Sequence, residues 1–520
     1  MMKTWFALLL CIAMMTGTAL AEEPETAIVL GAETITVDGA PISEEIGSPV
    51  YLALINETHE DVPEALAQLH NRVVTITASG SYRISGSAED TQLLIRAGSE
   101  DEVRLILDGV TLTCRTAPAI AVESAYDPRT AGEYGVTIEL EAGSENQLTG
   151  SHTKAPDDEE NAIEYDGAIG SQVSLGIAGS GRLTIDADNE GIEVAYGHLT
   201  IDGGTLSIAA CDDPLNVAED GVGVLTINDG YVYSSVKPLE GGEGDGVDSN
   251  GYIVINGGTV INLAHPQSGD SGIDSDLGST INGGVVVGAG NMYDPIEQSS
   301  SQLFMILEFS EATNQLVVVT DENDQPVFAY DFPHDYMYIA FSSPALKEGV
   351  YHVYLGGDIE GEDLNGLYTT ITSYTPGTRM QHGEGTAQRR AGGFGQPPEM
   401  SGMPDRPQDM TSYQQALGRI DLNELLKDAD LNALLKKLDL NQLLAAYDIT
   451  ELLTDEQLSE HFGDLNLSAL QTPRGGFGGG FGGGRGMGGP RSLESSSDTA
   501  TDSFILKKDS TGFTNVKSAQ

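Results

Sequence analysis

The chain has 520 residues, of which 79 are Asp or Glu and 25 are Lys or Arg, so its formal net charge is -54. This balance argues against nucleic acid and anionic membranes as partners, because both attract basic surfaces. Three cysteines in a chain of this length also exclude a disulfide framework as the main source of stability. We expect a protein large enough for several domains, stabilised by apolar cores.

Residues 1–21 are predicted to be a secretory signal peptide. Lys3 precedes an apolar run over residues 5–15, and the small residues of "TALA" come directly before Glu22. The run is too short to span a bilayer, and the sequence contains no other apolar stretch of about 18 residues. We therefore expect a secreted, extracellular protein without membrane insertion, and we leave open whether it associates with the cell surface.

Residues 73–295 repeat a pattern of short β-branched runs separated by Gly, Asp and Asn. The unit recurs in "LTIDGGTLSI", "LTINDGYVYS", "IVINGGTVIN" and "TINGGVVV". The isoleucines that align are Ile177, Ile201, Ile227, Ile255 and Ile281, with spacings of 24, 26, 28 and 26 residues. This period is too long for a hairpin and suits one coil of a parallel β-helix. The predicted fold class is therefore all-β, with a right-handed parallel β-helix, or solenoid, at its centre.

The repeat also predicts which side chains stack between coils. The expected interior columns contain Ile201, Leu206, Ile227, Val232, Ile255 and Val260. A polar stack at one corner is expected to contain Asp202, Asn228, Asn256 and Asn282, whose side chains can satisfy turn backbone. The glycine pairs 203–204, 257–258 and 283–284 are expected to supply the unusual dihedral angles of that corner.

The ends of such a fold need covering. Residues 22–72 are predicted to form an N-terminal segment and cap, and residues 296–376 alternate like a small C-terminal antiparallel β cap. Residues 377–418 have the composition of a flexible linker. Residues 419–470 contain Leu-rich nine-residue units such as "DLNALLKKL", which predict short helical repeats with a surface for a protein partner. Residues 471–520 are Gly/Ser-rich and are predicted to be a disordered tail.

Acidic patches precede strands in several coils, as in "GDGVDSNG" and "GDSGIDSD". We align the coils on the apolar residue after each patch, which is Ile163, Ile192, Leu215, Val247 or Ile273. The residue that follows is then Glu164, Glu193, Asn216, Asp248 or Asp274. Stacking of the coils would bring these side chains into one stripe, about one strand spacing apart.

Carboxylates at that spacing repel by roughly 3 kcal/mol at an effective dielectric constant of about 20, a serious cost for a marginally stable fold. A hard cation removes the repulsion, and Ca²⁺ accepts six to eight oxygen ligands. We therefore predict Ca²⁺ as a cofactor. The candidate ligands are Glu190, Glu193, Asp212, Asp213, Asp245, Asp248, Asp270, Asp274 and Asp276. The alternative is a solvated acidic face, since Asp, Ser, Asn and Gly are ordinary turn residues.

The segments "LTIDADNEGIEVAYGHLTIDGGTLSI", "GDGVDSNGYIVINGGTV" and "GDSGIDSDLGSTINGGVVVGAG" occur in this order within residues 73–375. Together they resemble a family of secreted bacterial proteins with a calcium-dependent, carbohydrate-binding parallel β-helix. The resemblance implies binding of cellulose or of acidic, pectin-like polysaccharides without hydrolysis. It places the family's Asp-rich turns on Asp245, Asp248, Asp270, Asp274 and Asp276. Residues 214–216 and Glu193 depart from the family pattern, and residues 419–520 lie outside the resemblance.

Three functions remain in competition. The first is non-catalytic polysaccharide binding, with Tyr231, Tyr233 and Tyr252 as stacking platforms for sugar rings. The second is a polysaccharide lyase, but its base is commonly Arg or Lys, and residues 155–300 contain only Arg182 and Lys237, in different coils. The third is a structural or adhesive cell-surface protein. Because no carboxylate pair stands out as a hydrolase pair either, we predict a binding protein that is not an enzyme.

Overall fold

A computed structural model describes residues 25–57, 59, 61–154, 163–383, 502–508 and 513–517. Within these ranges every regular element is a β-strand, so the all-β prediction is confirmed. The signal peptide, the helical repeats and the linker beyond residue 383 lie outside the described residues. In the part of the chain that the structure describes, no helix has the length and apolarity required to cross a bilayer.

Short strands follow one another from the N-terminal region to the end of the repeat. The first four are β1 (Glu25–Leu30), β2 (Thr36–Val37), β3 (Ala40–Pro41) and β4 (Val50–Ile55). The repeat region contains β5 (Asn71–Ile76), β6 (Gly80–Ala88), β7 (Thr91–Arg96), β8 (Val103–Thr113), β9 (Ile120–Ser124), β10 (Val136–Leu140), β11 (Glu145–Gly150), β12 (Gly167–Ser171), β13 (Leu175–Gly179), β14 (Arg182–Ala187), β15 (Glu190–Val194), β16 (His198–Ile201), β17 (Thr205–Ala210), β18 (Leu215–Val217), β19 (Val224–Ile227), β20 (Tyr231–Val236), β21 (Asp248–Ser249), β22 (Tyr252–Ile255), β23 (Thr259–Leu263), β24 (Gly278–Ile281) and β25 (Val285–Gly290).

The strands of the repeat region pair in three parallel ladders. Ladder 1 joins β10, β13, β16, β19, β22 and β24, and ladder 2 joins β11, β14, β17, β20, β23 and β25. Ladder 3 joins β5, β7, β9, β12, β15, β18 and β21. The long strands β6 and β8 pair along both ladder 1 and ladder 2. The chain visits ladders 3, 1 and 2 in turn, and one such passage is called a coil below.

The predicted apolar columns are confirmed. Ile177, Ile201, Ile227, Ile255 and Ile281 lie in register on ladder 1. Each of the five is at most 1% exposed. Ladder 2 contributes a matching buried column that contains Leu206, Val232 and Val260. Since burial of one such side chain stabilises a fold by about 1.5–3 kcal/mol, these columns form the core that holds the coils together.

The predicted polar stack is also confirmed, at the corner between ladders 1 and 2. The amide of Asn282 donates to Oδ1 of Asn256 at 3.0 Å, and the amide of Asn256 donates to Oδ1 of Asn228 at 2.8 Å. Asn228 in turn donates to Oδ1 of Asp202 at 2.7 Å. The second glycine of each pair at this corner has a positive φ; these are Gly204, Gly258 and Gly284, at +92°, +81° and +84°. A glycine is favoured there because this backbone region is costly for residues with a Cβ.

A predominantly antiparallel region covers the last coil. It contains β26 (Phe304–Thr313), β27 (Val317–Asp321), β28 (Pro326–Tyr330), β29 (Tyr336–Ser342), β30 (Gly349–Leu364), β31 (Leu367–Arg379), β32 (Gln381–Gly383), β33 (Phe504–Leu506) and β34 (Phe513–Lys517). Antiparallel pairing of β25 with β29 joins this cap to ladder 2. A second apolar core, which includes Val287, Phe328, Tyr330 and Phe341, fills the junction.

Two predicted boundaries are wrong at the C-terminal side. Strands β31 and β32 extend beyond residue 376 into the predicted linker. Strands β33 and β34 lie within the predicted disordered tail: β33 pairs with β30, and β34 pairs with β26 and β32. Leu506 and Val516 are each 1% exposed. The polar composition of this region concealed short apolar runs that complete open edges of the cap, where they gain burial and backbone hydrogen bonds.

Candidate metal centre

Ladder 3 carries the acidic stripe predicted from the sequence. Pairing of β15 with β18 places Glu193 opposite Asn216, and pairing of β18 with β21 places Asn216 opposite Asp248. The backbone N–H of Asp274 donates to the carbonyl of Val247 at 2.9 Å, which continues the alignment into the next coil. The predicted alignment is therefore confirmed over these four coils.

The alignment is wrong for the preceding coil. Ile169, and not Ile163, pairs with Ile192 on ladder 3. Glu164 is exposed and lies outside that ladder. An antiparallel bridge at Tyr165 diverts this segment before β12 begins. The sequence pattern did not reveal the diversion, because Ile163 is followed by an acidic residue, as most of the aligned apolar residues of later coils are, whereas Ile169 is followed by Gly170.

Three carboxylates from two neighbouring coils meet on ladder 3. They belong to Asp245, Asp248 and Asp274, and one oxygen of each lies within 4.8 Å of the others. Asp245 is 8% exposed, and the other two are half-buried. Two oxygens on opposite sides of a Ca²⁺ ion, each at about 2.4 Å, are about 4.8 Å apart. The oxygens of this carboxylate cluster are therefore close enough together to bind one calcium ion.

Backbone amides of adjacent coils hold the surrounding carboxylates in position. The N–H of Ser271 donates to Oδ1 of Asp245 at 2.6 Å, and the N–H of Asp245 donates to Oδ1 of Asp213 at 2.6 Å. The N–H of Gly244 donates to Oδ2 of Asp270 at 2.8 Å. Each of these bonds crosses from one coil to the next. The acids are thus oriented by the fold itself.

Two glycines permit this close approach of the coils. Gly244 has a φ of +135°, and a Cβ there would lie 2.8 Å from the backbone carbonyl carbon of Asp212. A Cβ on Gly272 would lie 2.2 Å from the backbone nitrogen of Ala289. Because real side chains do not tolerate such contacts, Gly244 of "GDGVD" and Gly272 of "GDSGID" are required by the packing of the stripe.

Burial and like charges raise the pKa values of Asp245 and Asp248. Burial, followed by the charges of Asp274 and Asp213, raises the pKa of Asp245 to about 10. Burial, followed by the charges of Asp274 and Asp276, raises the pKa of Asp248 to about 7. The ionised form is therefore disfavoured while these carboxylates face one another alone. A bound dication reverses this effect, because it offsets the repulsion and favours deprotonated ligands.

The other predicted ligands of this region surround the cluster. Asp213 and Asp270 accept the cross-coil amide bonds, and burial together with the charge of Asp212 raises the pKa of Asp213 well above its usual range. Asp276 is exposed, and its charge contributes to the raised pKa of Asp248. These four carboxylates add negative potential around the cluster without joining it.

Glu190 and Glu193 form a separate buried pair, 8% and 3% exposed. The amide of Asn216 donates to Oε1 of Glu190 at 2.9 Å, whereas Oε2 of Glu190 is buried without a hydrogen-bond partner. Burial, followed by the charge of Asp166, raises the pKa of Glu193 to about 8. An orphaned buried carboxylate oxygen is expected to have an ion or a water as partner. The sequence analysis missed Asp166. Its signal was an acidic residue followed by glycine at an apolar strand, which is the same pattern that occurs at Glu190.

The donor atoms decide which metal the stripe fits. Asp245, Asp248 and Asp274 offer carboxylate oxygens, which hard cations such as Ca²⁺ prefer, whereas Zn²⁺ and Cu²⁺ favour nitrogen and sulfur ligands. The predicted calcium ligands are thus arranged as one cluster of three, a set of flanking acids and a separate glutamate pair.

Residues 70–303 match a family model described as carbohydrate-binding domain-containing protein. A protein of Acetivibrio thermocellus with the same description is 35% identical over 144 residues, which are 27% of this chain and 46% of that protein. The chain thus spans about half the length of this relative. A solved structure, described as a gadolinium derivative of a polysaccharide lyase-like protein from C. thermocellum, is 24% identical and covers 51% of this chain and 94% of its own. Its TM-score is 0.33, a value that carries no conclusion about fold or function.

The predicted sugar-stacking tyrosines occupy different environments. Tyr231 and Tyr233 on β20 pack against the second apolar core, and the amide of Asn365 donates to the hydroxyl of Tyr231 at 2.6 Å. Tyr252 on β22 is 47% exposed. Tyr196, which the sequence analysis missed, is 54% exposed and precedes the ladder 1 strand β16. The structure therefore leaves Tyr252 as the predicted tyrosine with an accessible ring.

A second metal-compatible group, which joins the segment between β4 and β5 to a residue after β11, was also missed by the sequence analysis. It consists of His59, Asp61 and His152, each with a ligand atom within 4.8 Å of the others. Asp61 and His152 are 91 positions apart in the sequence, so no local motif signals the group.

Proposed function

We propose that this protein binds polysaccharides without cleaving them, through a right-handed parallel β-helix that Ca²⁺ stabilises. The observation that carries the proposal is the coincidence of the family match with the ladders. The match covers residues 70–303, while the first strand of ladder 3 begins at Asn71 and the cap strand β26 begins at Phe304. The matched region thus corresponds to the ladders and not to the cap.

In this proposal Ca²⁺ joins neighbouring coils. Asp248 belongs to the coil of β21 and Asp274 to the next coil, so an ion bound to both bridges two layers of the fold. The oxygen donors, their separation of no more than 4.8 Å and the raised pKa values of Asp245 and Asp248 support this role. The ion would both stabilise the fold and neutralise part of the acidic surface that a glycan has to approach.

The sugar surface is assigned to the edge where the chain enters ladder 1. Tyr196 and Tyr252 are exposed there, together with Val222 and Leu277. Strands β16 and β22 are two ladder steps apart, or about 10 Å, which is comparable to one disaccharide of an extended β-linked glucan. Exposed tyrosine rings present apolar faces to sugar rings. A neutral glucan such as cellulose would also avoid repulsion by the acidic chain.

The surroundings of the two basic residues in this region favour binding over lyase chemistry. Nζ of Lys237 lies 2.5 Å from Oδ1 of Asp186 and donates to the carbonyl of Ala187 at 2.6 Å. Arg182 lies on ladder 2, whereas the carboxylate cluster lies on ladder 3. A lyase needs its base within hydrogen-bond reach of the substrate proton beside the metal.

The test combines retention and product analysis on the full chain. The protein is applied to insoluble cellulose and to immobilised polygalacturonate in calcium, in EDTA, and after return of calcium. We expect calcium-dependent retention on at least one support, without new reducing or unsaturated ends in the supernatant. Release of unsaturated ends would replace the proposal by a lyase, and absence of retention on both supports would contradict polysaccharide binding.

The sugar surface is tested by a paired substitution. Tyr196→Ala together with Tyr252→Ala is expected to lower glycan affinity by about tenfold, because two stacking faces are lost. Tyr231→Phe serves as the control, since its ring packs against the second apolar core. Equal retention of the double variant and the wild type, with unchanged melting temperatures, would move the sugar surface elsewhere.

A further inference from the structure

His59 and Asp61 lie in the segment between β4 and β5, next to His152, which follows β11. We propose that His59, Asp61 and His152 form a second metal site, which binds a borderline transition cation of the Zn²⁺ type. The ligand atoms lie within 4.8 Å of one another. Imidazole nitrogens favour Zn²⁺ and its neighbours, whereas Ca²⁺ requires oxygen ligands. This proposal does not depend on the proposed polysaccharide binding.

The environment of His59 is the first support. Both of its ring nitrogens are shielded from solvent and have no hydrogen-bond partner of normal geometry. Its ring lies 5.2 Å from the ring of His152, at an interplanar angle of 51°. An imidazole with an unused lone pair can bind a metal, and ligation would satisfy a buried polar atom that is otherwise costly.

The partners of His152 are the second support. Its Nε2 lies 3.3 Å from Oδ2 of Asp61, and its Nδ1 lies 3.5 Å from Oδ1 of Asp188. A histidine that binds a metal through one nitrogen usually directs the other to a carboxylate, which fixes the tautomer and the ring orientation. Asp188 is placed for that positioning role, and Asp61 for the ligand role.

The charge at the site is consistent with a bound cation. The ammonium group of Lys154 forms an ion pair with Asp61, so the site already attracts positive charge. A dication would displace this ammonium group and gain the two imidazoles as further ligands. Tetrahedral Zn²⁺ ligands are roughly 3.3 Å apart, so small side-chain rotations are sufficient to close the group on an ion. Three protein ligands leave the fourth position to water.

The position of the group gives the ion a structural consequence. His59 and Asp61 lie in the segment 56–70, which precedes ladder 3, whereas His152 follows β11 of ladder 2. The ion would fasten this segment to the side of the early coils. Because Asp61 and His152 are separated by 91 positions, the connection constrains a long stretch of the unfolded chain.

The experiment is a calorimetric Zn²⁺ titration of the untagged full chain, with Ca²⁺ in excess throughout. We expect the wild type to bind one Zn²⁺ ion more than the His152→Ala variant, and the His334→Ala control to match the wild type. The melting temperature of the wild type should rise with Zn²⁺, and that of the His152→Ala variant should rise less. Equal stoichiometry, affinity and Zn²⁺-dependent melting in the wild type and the His152→Ala variant would overturn the proposal.

Two further variants keep the test decisive. If His152→Ala does not fold, His59→Gln replaces it, since the substitution retains a polar side chain of similar size; an unchanged Zn²⁺ stoichiometry in a folded His59→Gln variant would also overturn the proposal. Asp248→Asn, which alters the carboxylate cluster, is expected to retain the Zn²⁺ ion. Loss of that ion in Asp248→Asn would assign the zinc to the carboxylate cluster and contradict the histidine site.

Discussion

At the scale of single residues, the chemistry of this protein comes from ordinary turn residues placed in register. Asp245, Asp248 and Asp274 each follow a glycine-containing turn, as many solvated aspartates do. Stacking converts them into a cluster whose oxygens lie within 4.8 Å of one another. Burial and mutual repulsion oppose ionisation of Asp245 and Asp248, so the same contacts that destabilise the metal-free fold provide the affinity for a cation.

A first prediction concerns Asp248→Asn. The substitution removes a like charge at constant shape, so the melting temperature in EDTA should rise. It also removes an anionic ligand, so Ca²⁺ affinity should fall by roughly tenfold or more. Calorimetry and thermal unfolding with and without Ca²⁺ measure both effects. Glu240→Gln, at an exposed position, is the control; a metal-free melting temperature that falls in Asp248→Asn would contradict the repulsion argument.

A second prediction concerns pH. The pKa values of Asp248 and Asp245 are raised to about 7 and about 10 from 3.8, so the folded state binds more protons than the unfolded state above about pH 4. Stability in EDTA should therefore decrease as the pH rises from about 4 through 7. Ca²⁺ requires deprotonated ligands, so its stabilising effect should increase over the same range. Melting curves in EDTA and in Ca²⁺ across this range provide the measurement; a metal-free stability that increases with pH would show that these carboxyls do not govern it.

At the scale of elements, side-chain stacks fix the register of the ladders. In the stack of Asn282, Asn256 and Asn228, each side-chain amide donates a hydrogen bond to the side-chain oxygen of the next residue. The last acceptor is Asp202. Tyr134 donates to the same Asp202 at 2.7 Å, so the loop before β10 is attached to this stack. Slippage of one strand by a residue would break these bonds and turn the buried isoleucines outward.

A third prediction tests this stack. Asn256→Ala removes a donor and an acceptor in the middle of the stack, and each side-chain hydrogen bond contributes about 0.5–1.5 kcal/mol. We expect a loss of about 1–2 kcal/mol in the free energy of unfolding, measured by denaturant titration. Asp229→Ala, at a neighbouring exposed turn, should cost less, because its side chain bonds only to the backbone of the adjacent glycine. Equal effects of the two substitutions would assign the loss to the turn and not to the stack.

At the scale of the whole molecule, the C-terminal strands close the cap. β33 adds to the sheet that contains β27, β28, β30 and β31, and β34 lies between β26 and β32. An uncovered strand edge invites association with other chains, so these late strands protect as well as stabilise.

A fourth prediction follows from this closure. Deletion of residues 502–520 should lower the melting temperature and promote aggregation, because it exposes the edges of β26 and β30 and the apolar surface under Leu506 and Val516. Deletion of residues 475–493 removes the same length of chain and leaves both strands in place. Light scattering and thermal unfolding compare the two. Similar behaviour of the two deletions would mean that the strands contribute little to the cap.

The sequence by itself determined the all-β class, the period of the repeat, the apolar columns, the asparagine stack and most of the acidic register. These features depend on side chains that recur at each passage of the chain, so a repeated pattern is sufficient to predict them. Only the tertiary structure decided that the register of ladder 3 shifts to Ile169 and that Tyr231 and Tyr233 lie under the cap. It also decided that strands β33 and β34 complete the cap. It alone brought His59 and Asp61 to His152, because contacts between distant segments depend on how the chain closes and leave no period in the sequence.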